Sequence, residues 1–236
     1  DAEWTASNLE LPAQLQMSDG KPLGIMSDIN NDGKADWVSA NISSTGTTSL
    51  STYIGSANGW TVSSSFELPD VLFDYSQNSD GFAKGFLLDV NGDGWPDYVK
   101  AYITTAGETI QTWRNTGSTF VRDASLDLPV ALSSLDPDGT VRSLADFADL
   151  NADGLVDVIQ SVKTSAGSMQ RTWIQSVVFN DITGLNDHSW NLHSAYQAPS
   201  IATDYTQGEN GRVFATLQDV NADGLSDWVQ SYRLNG

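Results

Sequence analysis

Four copies of one nine-residue pattern, Asp-x-Asn-x-Asp-Gly-x-x-Asp, punctuate this chain. They begin at Asp28 (DINNDGKAD), Asp89 (DVNGDGWPD), Asp149 (DLNADGLVD) and Asp219 (DVNADGLSD), so successive copies start 61, 60 and 70 residues apart. A sustained period of that size calls for a repeat architecture, in which each unit buries its apolar face against the next. With 236 residues and 39% hydrophobic content, the chain can bury a core as one folded unit.

The pattern also carries chemistry. Side chains at positions 1, 3, 5 and 9, with the backbone carbonyl of position 7, can converge on one hard cation. The predicted donors are Asp28, Asn30, Asp32, Lys34 and Asp36; Asp89, Asn91, Asp93, Trp95 and Asp97; Asp149, Asn151, Asp153, Leu155 and Asp157; and Asp219, Asn221, Asp223, Leu225 and Asp227. Lys34, Trp95, Leu155 and Leu225 enter through their carbonyls. An oxygen-only set of this count suits Ca²⁺ rather than zinc or copper, so up to four calcium ions are expected. The glycine at position 6 allows the positive φ of a tightly wrapped loop. Without a cation the three carboxylates of each loop would repel. A structural role follows, with the ion pinning the strands on either side of the loop.

Composition supports that reading. The loops hold 12 of the 30 acidic residues, and four bound Ca²⁺ would bring the net charge from −19 to −11. Eleven Lys and Arg with no basic cluster argue against nucleic-acid binding. No apolar run approaches the ~20 residues of a membrane span, so membrane insertion is not expected. Cysteine is absent, which excludes disulfides, thiolate metal sites and a cysteine nucleophile. Calcium loops point to an extracellular setting, where weak sites suffice. The first residue is Asp1, as expected of a processed or excised chain, and no signal peptide is present to be read.

Other landmarks keep the same phase. A turn pair precedes each loop: Asp19-Gly20, Asp80-Gly81, Asp138-Gly139 and Asn210-Gly211. Ten residues past each of the first three loops comes a turn glycine, at Gly46, Gly107 and Gly167, and Gly236 lies nine past the fourth. A hydrophobic-x-hydrophobic-Pro phrase closes each unit, at Leu9–Pro12, Phe66–Pro69, Leu126–Pro129 and, more weakly, Tyr196–Pro199. Between these turns lie short runs rich in aromatic and β-branched residues. In the second unit they predict strand 1 over Lys84–Val90, strand 2 over Asp97–Ile103, strand 3 over Thr109–Asn115 and strand 4 over Thr119–Ser125. Trp60, Trp113, Trp173 and Trp190 recur in phase and are expected in the core between units. No segment sustains a helical period.

Four-stranded units of this length are what propeller blades look like in sequence; a β-solenoid is the lesser alternative. The expected fold is all-β, a β-propeller of four-stranded blades with one Ca-binding loop per blade between strands 1 and 2. The units read as an orphan strand 4 (1–12), blades at 13–69, 70–129 and 130–199, and strands 1 and 2 of a partial blade (200–236). The offset ends suit either a four-bladed ring closed by both termini or, as the missing strand favours, part of a larger ring completed by another segment or chain.

The loops resemble those of FG-GAP/VCBS repeats, the integrin-α type of β-propeller. In that family the loop joins the first two strands of a blade. Phrases such as DVNGDGWPDYV, QTWRNTGSTF and NADGLSDWVQSY also resemble repeats found upstream of RHS/Tc-type toxin shells. Competing calcium families fail on particular residues. An EF-hand wants Glu at loop position 12, where this chain has Ser39, Lys100, Gln160 and Gln230; the Gly-Gly-x-Gly-x-Asp nonapeptide is absent. The resemblance implies a non-catalytic extracellular scaffold for recognition or adhesion, lectin-like or protein-binding. A shell or gating propeller of an RHS/Tc-like toxin, and a carbohydrate-active enzyme module, are the alternatives.

No catalytic constellation is recognisable: there are two histidines, His188 and His193, and no Gly-x-Ser-x-Gly or phosphate loop. An enzyme is therefore not expected, although acidic residues outside the loops leave a carboxylate pair open to a glycosidase reading. The main departure from the repeat is an insertion of roughly ten residues around Val177–Trp190. An insertion confined to one unit maps to a loop and often to function. Phe179, Asn180, Asp181, Asn186, Asp187, His188 and Trp190 are its candidate ligand-binding residues, against the plainer reading of a longer hairpin. Trp95 joins them because position 7 of a loop leaves its side chain free to project.

Overall fold

The computed structural model describes residues 10–78, 80–182, 185–207 and 211–230. Three six-stranded sheets follow one another along the chain, each built by the same steps. In the first, β1 (Gly24–Ser27) leads through the acidic loop into β2 (Asp36–Ile42), then β3 (Thr48–Ser56) and β4 (Gly59–Ser63). These four pair antiparallel in chain order. The chain then returns to β2. The two-residue β5 (Phe73–Asp74) runs parallel to its far end and turns back through β6 (Phe82–Ala83).

The second sheet repeats this with β7 (Gly85–Leu88), β8 (Asp97–Thr104), β9 (Gly107–Asn115), β10 (Phe120–Arg122), β11 (Ser133–Leu135) and β12 (Val141–Ser143). The third comprises β13 (Asp146–Ala148), β14 (Asp157–Thr164), β15 (Gly167–Asn180), β16 (Leu185–Leu192), β17 (Thr203–Asp204) and β18 (Arg212–Val213). A fourth repeat contributes β19 (Ala215–Gln218) paired with β20 (Asp227–Gln230). No α-helix occurs among the described residues; single 3₁₀ turns sit at Ala124–Leu126 and Ser194–Tyr196.

The strand assignments read from sequence in the second unit hold within a few residues. The fifth and sixth strands of each sheet were not foreseen beyond the Asx-Gly turn between them. They shift the partition, because the hairpin opening each sequence repeat hydrogen-bonds to the sheet of the repeat before it. An orphan strand 4 over residues 1–12 falls mainly on residues outside those described, as does the chain beyond Gln230.

Consecutive sheets bury their faces on one another. Between the first and second lie Ile29, Val38, Ala40, Phe66, Leu68, Leu72 and Tyr98, with Trp113 and Phe120 packed against them. Between the second and third lie Val90, Val99, Leu126, Leu128, Leu132 and Val158, with Trp173 and Trp190 alongside. At about 1.5–3 kcal/mol per fully buried aliphatic or aromatic side chain, these layers dominate the favourable side of folding. They explain the closing Phe-x-Leu-Pro and Leu-x-Leu-Pro phrases, whose apolar residues plug the gap between sheets. Trp60 is half-buried beside Gly55 at the outer edge of the first sheet.

Candidate functional site

All four acidic loops join strand 1 to strand 2 of their sheet, so they occupy the same end of each repeat. Their backbones share one conformation. Position 6 has φ of +81, +86, +83 and +88° at Gly33, Gly94, Gly154 and Gly224. Position 4 is left-handed as well, at Asn31, Gly92, Ala152 and Ala222 (φ 52, 72, 60 and 61°). The sequence pattern gave no warning of this, since position 4 varies and alanine disfavours that region.

Two left-handed residues curl the loop so that its amides face its own side chains. The position 1 carboxylate accepts the position 6 N–H at 2.8–3.0 Å in all four loops. The position 3 asparagine Oδ1 accepts the position 5 N–H at 2.8–3.1 Å. The position 5 carboxylate accepts the position 7 N–H at 2.9–3.0 Å.

Position 9 works differently. Its Oδ2 accepts the N–H of position 2, at Ile29, Val90, Leu150 and Val220. In the three complete sheets its Oδ1 accepts an N–H from strand 3, at Gly55, Asn115 and Gln175. Asp36, Asp97 and Asp157 are wholly buried. Each is thus a clamp that ties loop, strand 2 and strand 3 together. Burial pushes their carboxyls above the usual carboxylate range, helped by the like charges at positions 1 and 5, and Asp97 is pushed up to about 7. Asp32 moves the other way, because the Lys34 ammonium hydrogen-bonds to it.

Neighbouring loops touch. A Cβ on Gly94 would come within 3.1 Å of Asn31 Nδ2, and one on Gly92 within 2.9 Å of Leu155 Cδ2. Asn115 donates its Nδ2 to the Ile29 carbonyl at 2.9 Å, stitching the second sheet to the first loop. Trp95 belongs to this contact. It is half-buried and stacked on Phe66, centroids 6.5 Å apart and planes at 11°. The expectation of a projecting Trp95 is corrected: its side chain reaches the preceding repeat, as that of Leu155, 8% exposed, does toward Gly92.

The donor set of each loop is chemically suited to a hard cation: carboxylate, amide and carbonyl oxygens only. Their oxygens are turned onto the loop's own amides, and no three acidic or histidine side chains among the described residues are gathered as a metal-holding group.

The insertion of the third unit folds as hairpin, not loop. β15 and β16 pair without a break from Trp173↔Leu192 to Asn180↔Leu185. Strand alternation therefore splits its candidate residues. Phe179, His188 and Trp190 lie on one face with Asn186. Asn180 and Asp187 lie on the other, joined by a 2.7 Å hydrogen bond, and Asp181 is in the turn. Trp190 packs into the core, His188 Nδ1 meets Gln175 Nε2 at 3.2 Å, and Phe179 is 61% exposed. These residues are not brought together as one site.

An all-β chain of repeated sheets, each carrying the same acidic loop between its first two strands, is a repeat protein with a loop-bearing end. Residues 89–159, from the second loop through the second sheet into β14, match the FG-GAP-like repeat family model. The chain thus carries an FG-GAP-like repeat, as the loop sequences implied. No curated protein matches the sequence.

Proposed function

We propose that this chain is a calcium-stabilised β-propeller segment that serves as a non-catalytic recognition or adhesion scaffold outside the cell, with a protein or glycan as its ligand. The observation that carries this reading is the fourfold recurrence of one acidic loop in one backbone conformation, at the same end of each sheet. The family match supports the propeller-type repeat. Positions 1, 3 and 5 and the position 7 carbonyl would hold the ion, with the position 9 aspartate, buried in the three complete sheets, bracing the loop behind it. The ion would neutralise carboxylates that otherwise repel across each loop.

Calorimetric titration with Ca²⁺ and thermal unfolding with and without chelator test this. Sites of about 0.1 mM in 10 mM Ca²⁺ would each add about 2.7 kcal/mol. Asp93→Asn should abolish one binding event and part of the calcium-dependent rise in Tm while matching the parent in chelator. A parent protein whose Tm ignores Ca²⁺ would sink the calcium reading.

A further inference from the structure

The insertion of the third unit changes the edge of its sheet. Each of the three sheets ends on its fourth strand, β4, β10 or β16, which pairs on one side only. β4 and β10 are five and three residues long, while β16 runs for eight. Its register with β15 is unbroken, so no bulge turns the edge away. Antiparallel pairing alternates bonded and non-bonded residue pairs. The His193 N–H donates to the Thr172 carbonyl at 2.8 Å, which sets the phase. Asp187, Ser189 and Asn191 therefore bond to β15, while Asn186, His188, Trp190 and Leu192 turn their N–H and C=O groups outward.

The same phase leaves β4 and β10 shorter outward edges, Trp60 and Val62 in one, Phe120 and Arg122 in the other. Arg122 also guards its edge, with a guanidinium that reaches back to the Thr112 carbonyl and to Asp127. β16 has no such guard. It contains no Lys, Arg or Pro, the residues that most often blunt an edge. Its one carboxylate, Asp187, is hydrogen-bonded within the hairpin to Asn180. The strand beside it stands clear of the body, with Val178 and Phe179 exposed at 65% and 61% on opposite faces.

We propose that the outer edge of β16 adds an extended strand from a partner protein, one that alternates basic and apolar residues. A row of outward amides and carbonyls at strand spacing is matched by another main chain, whose hydrogen bonds supply affinity while its side chains supply specificity. Charge sets one face of that strand. Between Arg171 and Arg212 the chain holds no Lys or Arg, and Asp187 shares its face of the hairpin with Val178, so basic side chains are drawn there. On the other face Val177 and Phe179 set exposed apolar surface beside His188 and Asn186, which suits apolar side chains. A second copy of this chain would bring a net charge of −19 and no cation from its own β16, so it is the poorer match. The proposal rests on the recognition reading, whose partner it names, and it does not depend on the calcium loops.

The test is hydrogen exchange of the full chain, read amide by amide by NMR, at about 0.15 M salt. The probe is the capped peptide acetyl-Lys-Val-Lys-Val-Lys-Val-Lys-Val-amide. Bound probe should slow exchange at the Asn186 and His188 amides at least tenfold. A probe of the same sequence methylated on every backbone nitrogen keeps the charge and loses the donors, so it should bind at least tenfold more weakly. Asn186→Pro removes one outward N–H without touching a bond to β15, and should weaken the parent probe at least tenfold. Asp187→Asn should weaken it severalfold while leaving binding of an uncharged Thr-Val probe unchanged. The proposal is overturned if Asn186 and His188 gain no protection, or if the methylated probe binds as tightly as the parent probe. It is overturned too if both amides are already protected in proportion to protein concentration, which would seat a second copy on the edge. Calcium dependence of Tm is read on the same samples, so failure of the edge and failure of the calcium-stabilised scaffold are told apart.

Discussion

The second and fourth acidic loops share six of their nine residues and the same left-handed positions, yet they live in different surroundings. Val90 in the second loop is fully buried between sheets, while Val220 at the same position in the fourth is 63% exposed. Asp97 is wholly buried and accepts N–H groups from both Val90 and Asn115. Asp227 is only partly buried and, among the described residues, accepts the first of these bonds, from Val220 at 3.0 Å. The local pattern therefore sets loop shape, and the packing of neighbouring sheets sets how deeply the clamp is buried. Shape alone does not make the four loops equivalent.

The strongest way to break this comparison is to remove each clamp. Asp97→Ala leaves two buried amides without acceptors, at about 1–3 kcal/mol each. A loss of about 3–5 kcal/mol in urea unfolding is expected. Asp227→Ala should lose about 1 kcal/mol, since one part-exposed amide can turn to water. Equal losses would show that burial does not distinguish the loops.

A pH profile in chelator sharpens the same contrast. Burial holds the Asp97 carboxyl at about 7, against about 3.9 in an unfolded chain. Between these values the folded protein binds the extra proton, so its stability falls as pH rises from about 4 to 7 and is greatest below that window. The expected fall is a few kcal/mol at most. Asp97→Ala should flatten much of it. An unchanged slope in Asp97→Ala would assign the proton to another group.

What the sequence could show follows from range. The four loops, their turn glycines and the strands around them were legible because each is a local code: left-handed glycine, Asx turn, aromatic alternation. The core placing of Trp113, Trp173 and Trp190 was legible from phase. The short strands β5, β11 and β17 were not, because a parallel pair formed between segments so far apart in the chain leaves no periodic trace. Trp95 was misread for a related reason. Position 7 looks free within its own loop, and only the neighbouring repeat supplies Phe66 to cover it. The insertion carried two readings, a ligand-binding loop and a longer hairpin, and the cross-strand pairing that continues through it gives the hairpin.

The smallest expected effect probes loop shape rather than burial. Ala152 and Ala222 hold φ near +60°, a region that costs a residue with a Cβ about 1–2 kcal/mol. Glycine removes that cost but brings an entropic penalty of about 0.5–1 kcal/mol, because its unfolded chain is freer. Ala152→Gly and Ala222→Gly should therefore each stabilise the protein by about 0.5 kcal/mol, read as a small rise in the urea midpoint. Because the backbone strain is intrinsic to the loop, the gain should be the same in the third loop, packed against Gly92, as in the exposed fourth. If only the third loop gains, neighbouring packing imposes the left-handed turn there, and the nine-residue pattern does not set it alone.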